Sequence, residues 1–409
     1  MADRFDVVVV GAGPAGLAAA CRAAESGASV ALIDDNPVAG GQIWRGGAGP
    51  AAPWIRKIEQ HRVEWIAGAR VFAVPETGRM ALEHFEGNRE IGYARLVLAT
   101  GARERFLPFP GWTLPNVAGA GGLQALAKSG LAIGGKQVVI AGSGPLLLAV
   151  AKFMREHGAR VVLIAEQADQ ASLVRFGMGL ARYPAKLAQA VQLRAGLWGI
   201  PYLTSCWPVA ASGTGKLESV TLRRGAKTWT VACDYLACGF GLIPNLELAA
   251  LLGCRMSETG VAVNEYQETS VAGVYTAGET TGIGGLDLAL AEGEIAGFAA
   301  AGKPDPARRR FVARAGYRRF AAGLERAFAL RQELKELARP ETIVCRCEDV
   351  PLARVRGCAS WREAKLHARC GMGPCQGRVC GGAVEFLLGW KADSVRPPVF
   401  PARIESLKG

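Results

Sequence analysis

Residues 5–16 read Phe5-Asp-Val-Val-Val-Val-Gly11-Ala-Gly-Pro-Ala-Gly16, an apolar run that leads into three closely spaced glycines. Its β-branched run predicts a strand over residues 5–10, and the alanine-rich residues after Gly16 predict a helix. A second strand is predicted over residues 29–33, directly before Asp34. Strand, glycine turn, helix and strand form a βαβ unit that ends in an acidic residue.

Each glycine of this unit has a separate physical role. Gly11 makes the tight turn, Gly13 lets the backbone approach a pyrophosphate, and Gly16 permits close packing of the helix on the strand. Asp34 lies eighteen residues after Gly16, near the spacing at which an acid reaches an adenosine ribose. Asp35 is an alternative for the same role. The stretch therefore predicts a dinucleotide site.

A second copy of the pattern follows. Residues 137–141 predict a strand that leads into Gly142-Ser-Gly144-Pro-Leu-Leu147, a helix, and a strand over residues 161–165 that ends at Glu166. Leu147 occupies the position of the third glycine and is expected to push the helix away from the strand. A Rossmann-like fold is predicted, but its occupant stays open between a nicotinamide dinucleotide, a different adenine nucleotide and none.

Two more turns after predicted strands lie in Leu96–Gly101 and Gly273–Glu279. A nucleotide fold that is interrupted by a second one and then resumed resembles the two-dinucleotide-binding flavoproteins, whose first fold holds FAD. In that family a glycine followed by an acid contacts the ribitol, and Glu279 stands where aspartate is usual. The resemblance implies an α/β fold in which FAD contacts Gly11, Gly13, Gly16, Asp34, Gly41, Gln42, Thr100, Gly101, Gly278 and Glu279.

The composition is that of a globular protein. Half of the 409 residues are hydrophobic and 21% are charged, and the net charge is +12. Residues 303–339 carry eleven basic and four acidic residues, so +7 of the charge lies in one segment. No nucleic-acid-binding motif accompanies this charge, so nucleic acid is not expected as a partner.

The basic segment predicts one or two amphipathic helices. Its apolar residues at helical spacing are Tyr317, Phe320, Leu324 and Phe328. The arginines are therefore expected on an outer, solvated face. The runs Arg308–Arg310 and Arg318–Arg319 alternatively predict a docking site for an acidic partner subunit.

The chain is expected to be cytoplasmic. Its start, Met-Ala-Asp-Arg-Phe-Asp, lacks the basic region of a signal peptide. The uncharged residues 106–127 contain three prolines and four glycines, which excludes a continuous membrane helix there. We therefore expect a protein that is not an integral membrane protein.

Six of the eleven cysteines lie between Cys345 and Cys380. Disulfides are rare in a reducing compartment, so this density predicts a metal or cluster site. Thiolates of Cys345 and Cys347, and of Cys375 and Cys380, can converge on one soft-metal site. Zinc is the main competitor, but the Cys-x-Cys spacing favours a 2Fe-2S cluster with four cysteine ligands. Cys370 is an alternative ligand to one member of the second pair.

The run Gly371–Cys380 closely resembles the bacterioferritin-associated-ferredoxin-like domain, whose pattern favours Cys375 and Cys380 as ligands. The whole chain resembles the α subunits of the heteromeric flavoprotein dehydrogenases that include opine oxidases, hydrogen cyanide synthase and D-hydroxyproline dehydrogenase. In these relatives a β subunit of the D-amino-acid-oxidase type oxidises a carbon–nitrogen bond, and the α subunit passes electrons onward. Some also contain a small ferredoxin-like γ subunit.

The resemblance implies an FAD and iron–sulfur subunit of an amino- or imino-acid dehydrogenase, with no catalytic residue of its own for substrate oxidation. The alternative is a stand-alone NAD(P)H-dependent flavoprotein reductase, in which Glu166 holds a ribose. A purely structural subunit is disfavoured by the intact first glycine loop and the retained cysteines. The expected domains are an FAD domain in two parts (1–125 and 246–302), an inserted second nucleotide fold (126–245), a basic linker (303–340), an iron–sulfur domain (341–392) and a tail (393–409).

Overall fold

The computed structural model describes residues 3–45, 49–392 and 394–407. The chain divides into two compact units, here called the first and second units. The first unit comprises residues 1–103, 243–322 and 394–409, and the second comprises residues 104–242 and 323–393. The division into six segments made from the sequence stays a prediction.

The helices and strands follow one another in three stretches of the chain. The first contains β1 (Asp3–Val10), α1 (Pro14–Glu25), β2 (Val30–Asp34), α2 (Ala52–Gln60), β3 (Glu64–Ala67), β4 (Arg70–Glu76), β5 (Arg79–His84), β6 (Gly87–Leu98) and β7 (Ala102–Glu104). The second contains β8 (Val117–Gly119), α3 (Ala120–Lys128), β9 (Gln137–Gly142), α4 (Leu146–Glu156), β10 (Arg160–Glu166), α5 (Gln170–Gly179), α6 (Pro184–Ala195), β11 (Tyr202–Leu203), β12 (Cys206–Ser212), β13 (Ser219–Arg224), β14 (Lys227–Ala232), β15 (Tyr235–Gly239), β16 (Leu242–Pro244) and α7 (Glu247–Leu251). The third contains β17 (Val274–Thr276), α8 (Leu286–Ala300), α9 (Pro304–Arg308), α10 (Phe311–Ala327), β18 (Ile343–Cys345), β19 (Val350–Pro351), α11 (Leu352–Arg356), α12 (Trp361–Ala368) and α13 (Cys380–Leu388).

The first unit is built on a seven-stranded sheet. Its order is β3-β2-β1-β6-β5-β4, and β17 also pairs with β6. The neighbours of β1 run parallel to it, with Val8 opposite both Ala31 and Leu96. Residues 7–10 are buried, as expected for a central parallel strand that is covered on both faces. The glycine turn after β1 therefore lies at the carboxyl end of a parallel sheet, where such folds bind ligands.

The second unit repeats this arrangement on a smaller sheet. Five strands lie in the order β11-β10-β9-β15-β8, and β9 runs parallel to both β10 and β15. An antiparallel sheet of β12, β13 and β14 accompanies it. Leu147, at the start of α4, is fully buried, and its Cδ2 would lie 3.4 Å from a Cβ added to Gly239 of β15. Leu147 therefore packs into the core of this fold together with Ile140 of β9 and Ala237 of β15.

The cysteine-rich part of the second unit has its own small core. It includes Val344, Val355 and Trp361, and it also contains buried cysteines. A methyl group added to Gly371 or Gly377 would lie 2.7 or 2.8 Å from Cζ2 of Trp361. Both glycines have a φ of +82°, so they let the loop before α13 turn closely over the indole ring.

The prediction that the arginines of residues 303–339 form an outer, solvated face is wrong for part of the segment. Arg314 is buried and donates to Gln267 Oε1 at 3.1 Å. Arg318 pairs with the buried Glu292 at 2.8 Å, and Arg310 pairs with the buried Glu294 at 2.8 Å. Arg314 is buried against the Glu265 carbonyl oxygen and Gln267, whereas Arg310 and Arg318 stay exposed while their guanidinium groups pair with the two buried carboxylates of α8.

The same contacts bear on the alternative that arginine runs dock an acidic partner. Arg310 and Arg318 are already paired with carboxylates of their own chain. Arg309 and Arg319 are exposed. The runs are therefore divided between internal ion pairs and solvent, which weakens their prediction as one continuous docking site.

Candidate functional site

The glycine loop between β1 and α1 is shaped by close backbone contacts. Gly11 has a φ of +103°, and a Cβ at this position would lie 2.2 Å from the Ala99 carbonyl oxygen. A Cβ at Gly16 would lie 1.7 Å from the Gly11 carbonyl oxygen. Gly13 is the N-cap of α1 and gives it no side-chain hydrogen bond. The first amide groups of α1 are thus available to an anion.

Gly41 and Gln42 lie in the turn beside this loop. A Cβ on Gly41 would lie 2.9 Å from Cα of Gly13, so the two backbones are in close contact. Gln42 is exposed, and its side-chain oxygen accepts a hydrogen bond from Arg45. The structure therefore brings Gly11, Gly13, Gly16 and Gly41 together at one end of the sheet.

Asp34 ends β2 beneath the glycine loop. Its carboxylate accepts hydrogen bonds from the amide of Ala12 at 2.5 Å and from the amide of Asn36 at 2.8 Å. Burial raises its pKa, although these hydrogen bonds act in the opposite direction. Each carboxylate oxygen can accept more than one hydrogen bond, so Asp34 can also bind a ribose hydroxyl. Asp35 instead forms a half-exposed ion pair with Arg70 at 3.4 Å.

The Thr100–Gly101 turn is hydrogen-bonded to Asn245, a residue that the sequence did not predict to lie there. The Thr100 hydroxyl donates to the Asn245 carbonyl oxygen at 2.8 Å, and the Asn245 side chain donates to the Thr100 carbonyl oxygen at 2.8 Å. The Asn245 amide also donates to the Gly101 carbonyl oxygen at 2.9 Å. No local pattern pairs Asn245 with residues so far away in sequence.

Gly278 brings the second predicted turn to the start of α1. A Cβ at Gly278 would lie 2.8 Å from Cβ of Ala15 in the first turn of that helix. Glu279 follows it, and burial alone raises the pKa of its carboxyl group, which forms no hydrogen bond within the described residues. The Thr280 hydroxyl is buried and also lacks a partner among the described residues. Unpaired polar groups beside a glycine loop fit a site for a polar cofactor.

Glu292 of α8 is a second residue that the sequence analysis missed. It is fully buried and accepts from the Gly278 amide at 3.1 Å and from the Thr281 hydroxyl at 2.7 Å. Arg318 completes the group with an ion pair at 2.8 Å. The available signal was an acid within a helix of alanine, glycine and leucine, followed by a segment rich in arginine.

The second glycine loop, Gly142–Gly144, is covered by the chain itself. The Ser143 hydroxyl donates to the Phe328 carbonyl oxygen at 2.9 Å. A Cβ added to Gly144 would lie 4.0 Å from Cγ of the Phe328 ring. Gln167 donates to the Ala329 carbonyl oxygen at 3.1 Å and accepts from the Arg331 amide at 3.1 Å. We call residues 328–331 the covering segment.

Glu166, the acid of this second fold, is fully buried. Its carboxylate accepts from the Gly144 amide at 2.8 Å and from the Ala168 amide at 2.9 Å. The Tyr202 hydroxyl lies 3.4 Å away. Burial raises the pKa of Glu166 to about 7. Its position and its two backbone hydrogen bonds therefore match those of Asp34 in the first fold, but Glu166 is fully buried whereas Asp34 is 9% exposed.

Five of the predicted or alternative thiols of the cysteine-rich part form two adjacent groups. The sulfur atoms of Cys345, Cys370 and Cys380 all lie within 4.8 Å of one another and are buried. Cys347 is exposed and contacts Cys375. A Cβ on Gly373 would lie 2.3 Å from Cβ of Cys347, so the loop lies directly against the Cys-x-Cys turn.

The environment of Cys345 favours a thiolate. The Gly371 amide lies 3.5 Å from its sulfur atom and donates to it. Hydrogen bonds from the Cys370 and Cys380 thiols lower the pKa of Cys345. In each of the two groups, one cysteine of the Cys-x-Cys turn (Cys345 or Cys347) therefore lies beside cysteines of the later loop, residues 370–380. Such a donor set fits a soft metal or an iron–sulfur cluster, and Cys370 is a fifth thiol beside it.

One absence concerns membranes. Within the described residues, no helix combines the length and the apolar composition that crossing a bilayer requires.

Comparison with known proteins defines the class. Residues 5–296 match the pyridine nucleotide-disulphide oxidoreductase family, and the chain belongs to it. The chain is thus an oxidoreductase with an α/β, Rossmann-like, FAD/NAD-binding flavoprotein fold, as predicted.

Two curated relatives extend over almost the whole chain. Hydrogen cyanide synthase subunit HcnB of Pseudomonas aeruginosa is 34% identical over 92% of this chain and 90% of its own length. An opine oxidase subunit of Rhizobium meliloti is 33% identical over 97% of both chains. The predicted resemblance to this group of flavoprotein subunits is confirmed.

Solved structures support the same fold. L-proline dehydrogenase from P. horikoshii aligns with a TM-score of 0.70 and 20% identity, over all of this chain and 81% of that chain. Thioredoxin reductase from T. acidophilum aligns with a TM-score of 0.54 and 23% identity, over 76% of this chain and 99% of that one.

Proposed function

We propose that this chain is the FAD and iron–sulfur subunit of a heteromeric amino- or imino-acid dehydrogenase of the opine or hydroxyproline type. It passes electrons from the flavin of a partner subunit to an external acceptor in the cytoplasm. The observation that carries the proposal is the gathering of five thiols in a chain that also has a flavoprotein glycine loop. The proposed partner is a β subunit of the D-amino-acid-oxidase type, and a small ferredoxin-like γ subunit is a further candidate.

The residues proposed to hold FAD are those that the sequence analysis named. Gly11, Gly13 and Gly16 leave the start of α1 open to a pyrophosphate. Asp34 is proposed to accept from a ribose hydroxyl, and Glu279 from a hydroxyl of the ribitol. Gly41, Gln42, Thr100, Gly101 and Gly278 complete the proposed set. When bound, FAD accepts electrons in pairs and releases them singly.

The proposed cluster ligands are Cys345 and Cys347 from the Cys-x-Cys turn and Cys375 and Cys380 from the later loop. The proposal is supported by the proximity of Cys345 to Cys380, in a group that also contains Cys370, and by the contact of Cys347 with Cys375. Two pairs of thiolates are what a 2Fe-2S cluster requires, because each iron takes two cysteines. The cluster exchanges single electrons, which suits a chain between a flavin and an external acceptor.

The alternative, a stand-alone NAD(P)H-dependent reductase, needs an accessible second nucleotide fold. The second glycine of such a loop normally leaves space for a pyrophosphate, and here the covering segment is hydrogen-bonded to Ser143 beside it. The acid that would bind a ribose, Glu166, is fully buried, whereas its counterpart Asp34 in the first fold is 9% exposed. The same contacts disfavour a different adenine nucleotide in this fold. We therefore propose that the fold is a structural copy.

The test begins with an anaerobic titration of the purified chain with NADH and then with NADPH, followed by flavin absorbance. We expect the flavin to stay oxidised until an amino acid and the partner subunit are added. Rapid stoichiometric bleaching by either nucleotide would contradict the proposal and support the reductase.

Metal analysis tests the cluster. Iron and acid-labile sulfide are each expected at about two per chain, as a 2Fe-2S cluster requires. Zinc in place of iron, with no sulfide, would exclude the iron–sulfur part of the proposal.

A further inference from the structure

Two neighbouring helices of the second unit present large apolar side chains to solvent. Neither α5 nor α6, both fully described, contains a buried residue. Val191 is 60% exposed, Met178 is 68% exposed, and Trp198, in the turn after α6, is 83% exposed. We call this surface the α5–α6 face. Its large exposed apolar residues are Val174, Met178, Leu187, Val191 and Trp198.

The spacing shows that these residues form stripes. Val174 and Met178 are one helical turn apart on α5, and Leu187 and Val191 are one turn apart on α6. Each stripe therefore occupies one side of its helix. Soluble proteins rarely leave contiguous apolar surface exposed unless it binds something.

The helices are attached to the second unit on another side, so the face is an ordered surface. Phe176 of α5 packs edge-on against Phe328, with ring centroids 5.6 Å apart. Arg155 of α4 donates to the carbonyl oxygens of Gly196 and Trp198 at 3.1 and 3.0 Å. Leu197 is fully buried between these two residues. The exposed stripes consequently remain after the helices have packed.

The charge on this part of the chain has one sign. Residues 170–199 contain four basic residues and no acidic residue. Arg175, Arg182 and Arg194 are exposed. A partner must therefore combine an apolar centre with acidic residues around it.

We propose that the α5–α6 face binds the partner flavoprotein subunit through an apolar surface that is surrounded by aspartate and glutamate. This inference rests on the proposed function and adds the location and the chemistry of the contact. A second copy of the chain fits poorly, because a twofold contact would place the basic residues of one copy against those of the other.

A lipid bilayer also fits less well than a protein. Much of the surface between the large side chains consists of small residues, which let another polypeptide approach closely. Those exposed on the two helices and their connection are Ala171, Gly177, Ala181, Ala185, Ala188 and Ala195. Helices that bind bilayers insert tryptophan, phenylalanine or leucine side chains, and of these types α5 and α6, both fully described, expose only Leu187.

The test uses the tagged full-length chain, purified from its own host together with the partner that shows amino-acid dehydrogenase activity. Val191→Glu and Met178→Glu are each expected to lower the amount of partner per chain at least about tenfold, because each buries an unpaired charge. Val312→Glu is the matched control, since Val312 is an 83% exposed valine on α10 in the first unit. It is expected to retain the partner.

Charge is tested separately with Arg182→Glu, a surface change that does not alter the apolar stripes. We expect this variant to lose the partner at a lower salt concentration than the wild-type chain does. Flavin content and thermal midpoint establish that each variant is folded. If Val191→Glu or Met178→Glu does not fold, the result with Arg182→Glu decides the test.

The outcomes separate the two proposals. If the partner stays bound to Val191→Glu, Met178→Glu and Arg182→Glu as it does to the wild type, the docking proposal is wrong and the proposed function stands. If the wild-type chain is isolated without any dehydrogenase partner, both are wrong. If the wild-type chain floats with phosphatidylglycerol vesicles and Val191→Glu does not, the face binds a membrane and not the partner subunit. If the isolated wild-type chain forms a dimer that Val191→Glu dissociates, the face binds a second copy of the chain.

Discussion

Glu292 links the candidate flavin site to the basic segment. Its carboxylate accepts a hydrogen bond from the Gly278 amide and forms an ion pair with Arg318, although the side chain is only 1% exposed. Replacing Arg318 by glutamine leaves a buried carboxylate without its cation. We expect Arg318→Gln to lower the free energy of unfolding by about 1–3 kcal/mol and to weaken flavin retention. Urea unfolding of the flavin-loaded protein and flavin content after dialysis measure the two effects.

Arg319→Gln is the matched control, because Arg319 is the exposed neighbour of Arg318 in the same helix. It is expected to change the free energy of unfolding by less than about 0.5 kcal/mol. Equal effects of the two substitutions would show that the ion pair with Glu292 does not stabilise the site.

The role of a single residue can be predicted from the sequence only when the residues it acts with lie close to it along the chain. The roles of Gly11, Gly16 and Asp34 follow from a local βαβ pattern, and the structure places all three around one loop. The contact of Asn245 with Thr100 joins residues 145 positions apart, and that of Arg318 with Glu292 joins residues 26 positions apart. No local periodicity contains such pairs, because they depend on how the elements pack.

Among the elements, the covering segment is held in part by one buried glutamine. Gln167 is fully buried and bonds to the Ser143 hydroxyl at 2.9 Å, the Ala329 carbonyl oxygen and the Arg331 amide. Gln167→Leu keeps a similar volume but removes the hydrogen-bond partner of the Ala329 carbonyl oxygen and of the Arg331 amide. We expect a loss of about 1–3 kcal/mol in the free energy of unfolding and faster amide hydrogen exchange in the covering segment.

Gln170→Leu provides the comparison, since Gln170 is exposed at the start of α5. In Gln170→Leu, amide hydrogen exchange of the covering segment should equal that of the wild-type chain. If Gln167→Leu also leaves this exchange unchanged, the covering segment is held by other contacts and the argument against a nucleotide in the second fold weakens.

Elements with a strong local pattern agree closely with the structure. The predicted strand over residues 137–141 is observed as Gln137–Gly142, and that over residues 161–165 as Arg160–Glu166. The helical segment after residue 303 also exists, but the predicted outer position of its arginines is wrong for Arg314, which is buried; Arg318 is exposed and pairs with Glu292. Amphipathic periodicity treats every arginine as solvated and cannot show that α8 offers two buried carboxylates as partners.

At the scale of the whole molecule, the glycine loop belongs to the first unit and the cysteines belong to the second. FAD and the cluster should therefore be lost independently. A Cβ at Gly13 would have no neighbour closer than 4.0 Å, so a side chain fits there without a backbone clash. Gly13→Glu is expected to exclude FAD by placing a negative charge where the pyrophosphate binds, whereas iron content should stay unchanged.

Cys345→Ser makes the opposite change. Cys345 contacts both Cys370 and Cys380, so its loss should abolish iron binding while the flavin absorbance is retained. Gly316→Glu and Cys358→Ser are the controls: Gly316 lies on α10 in the first unit with open space around an added Cβ, and neither residue is a proposed ligand. Iron, sulfide and flavin assays on the four variants decide the matter. Loss of both cofactors in Gly13→Glu and in Cys345→Ser would mean that the two units do not fold independently, and that cofactor binding in one supports the other.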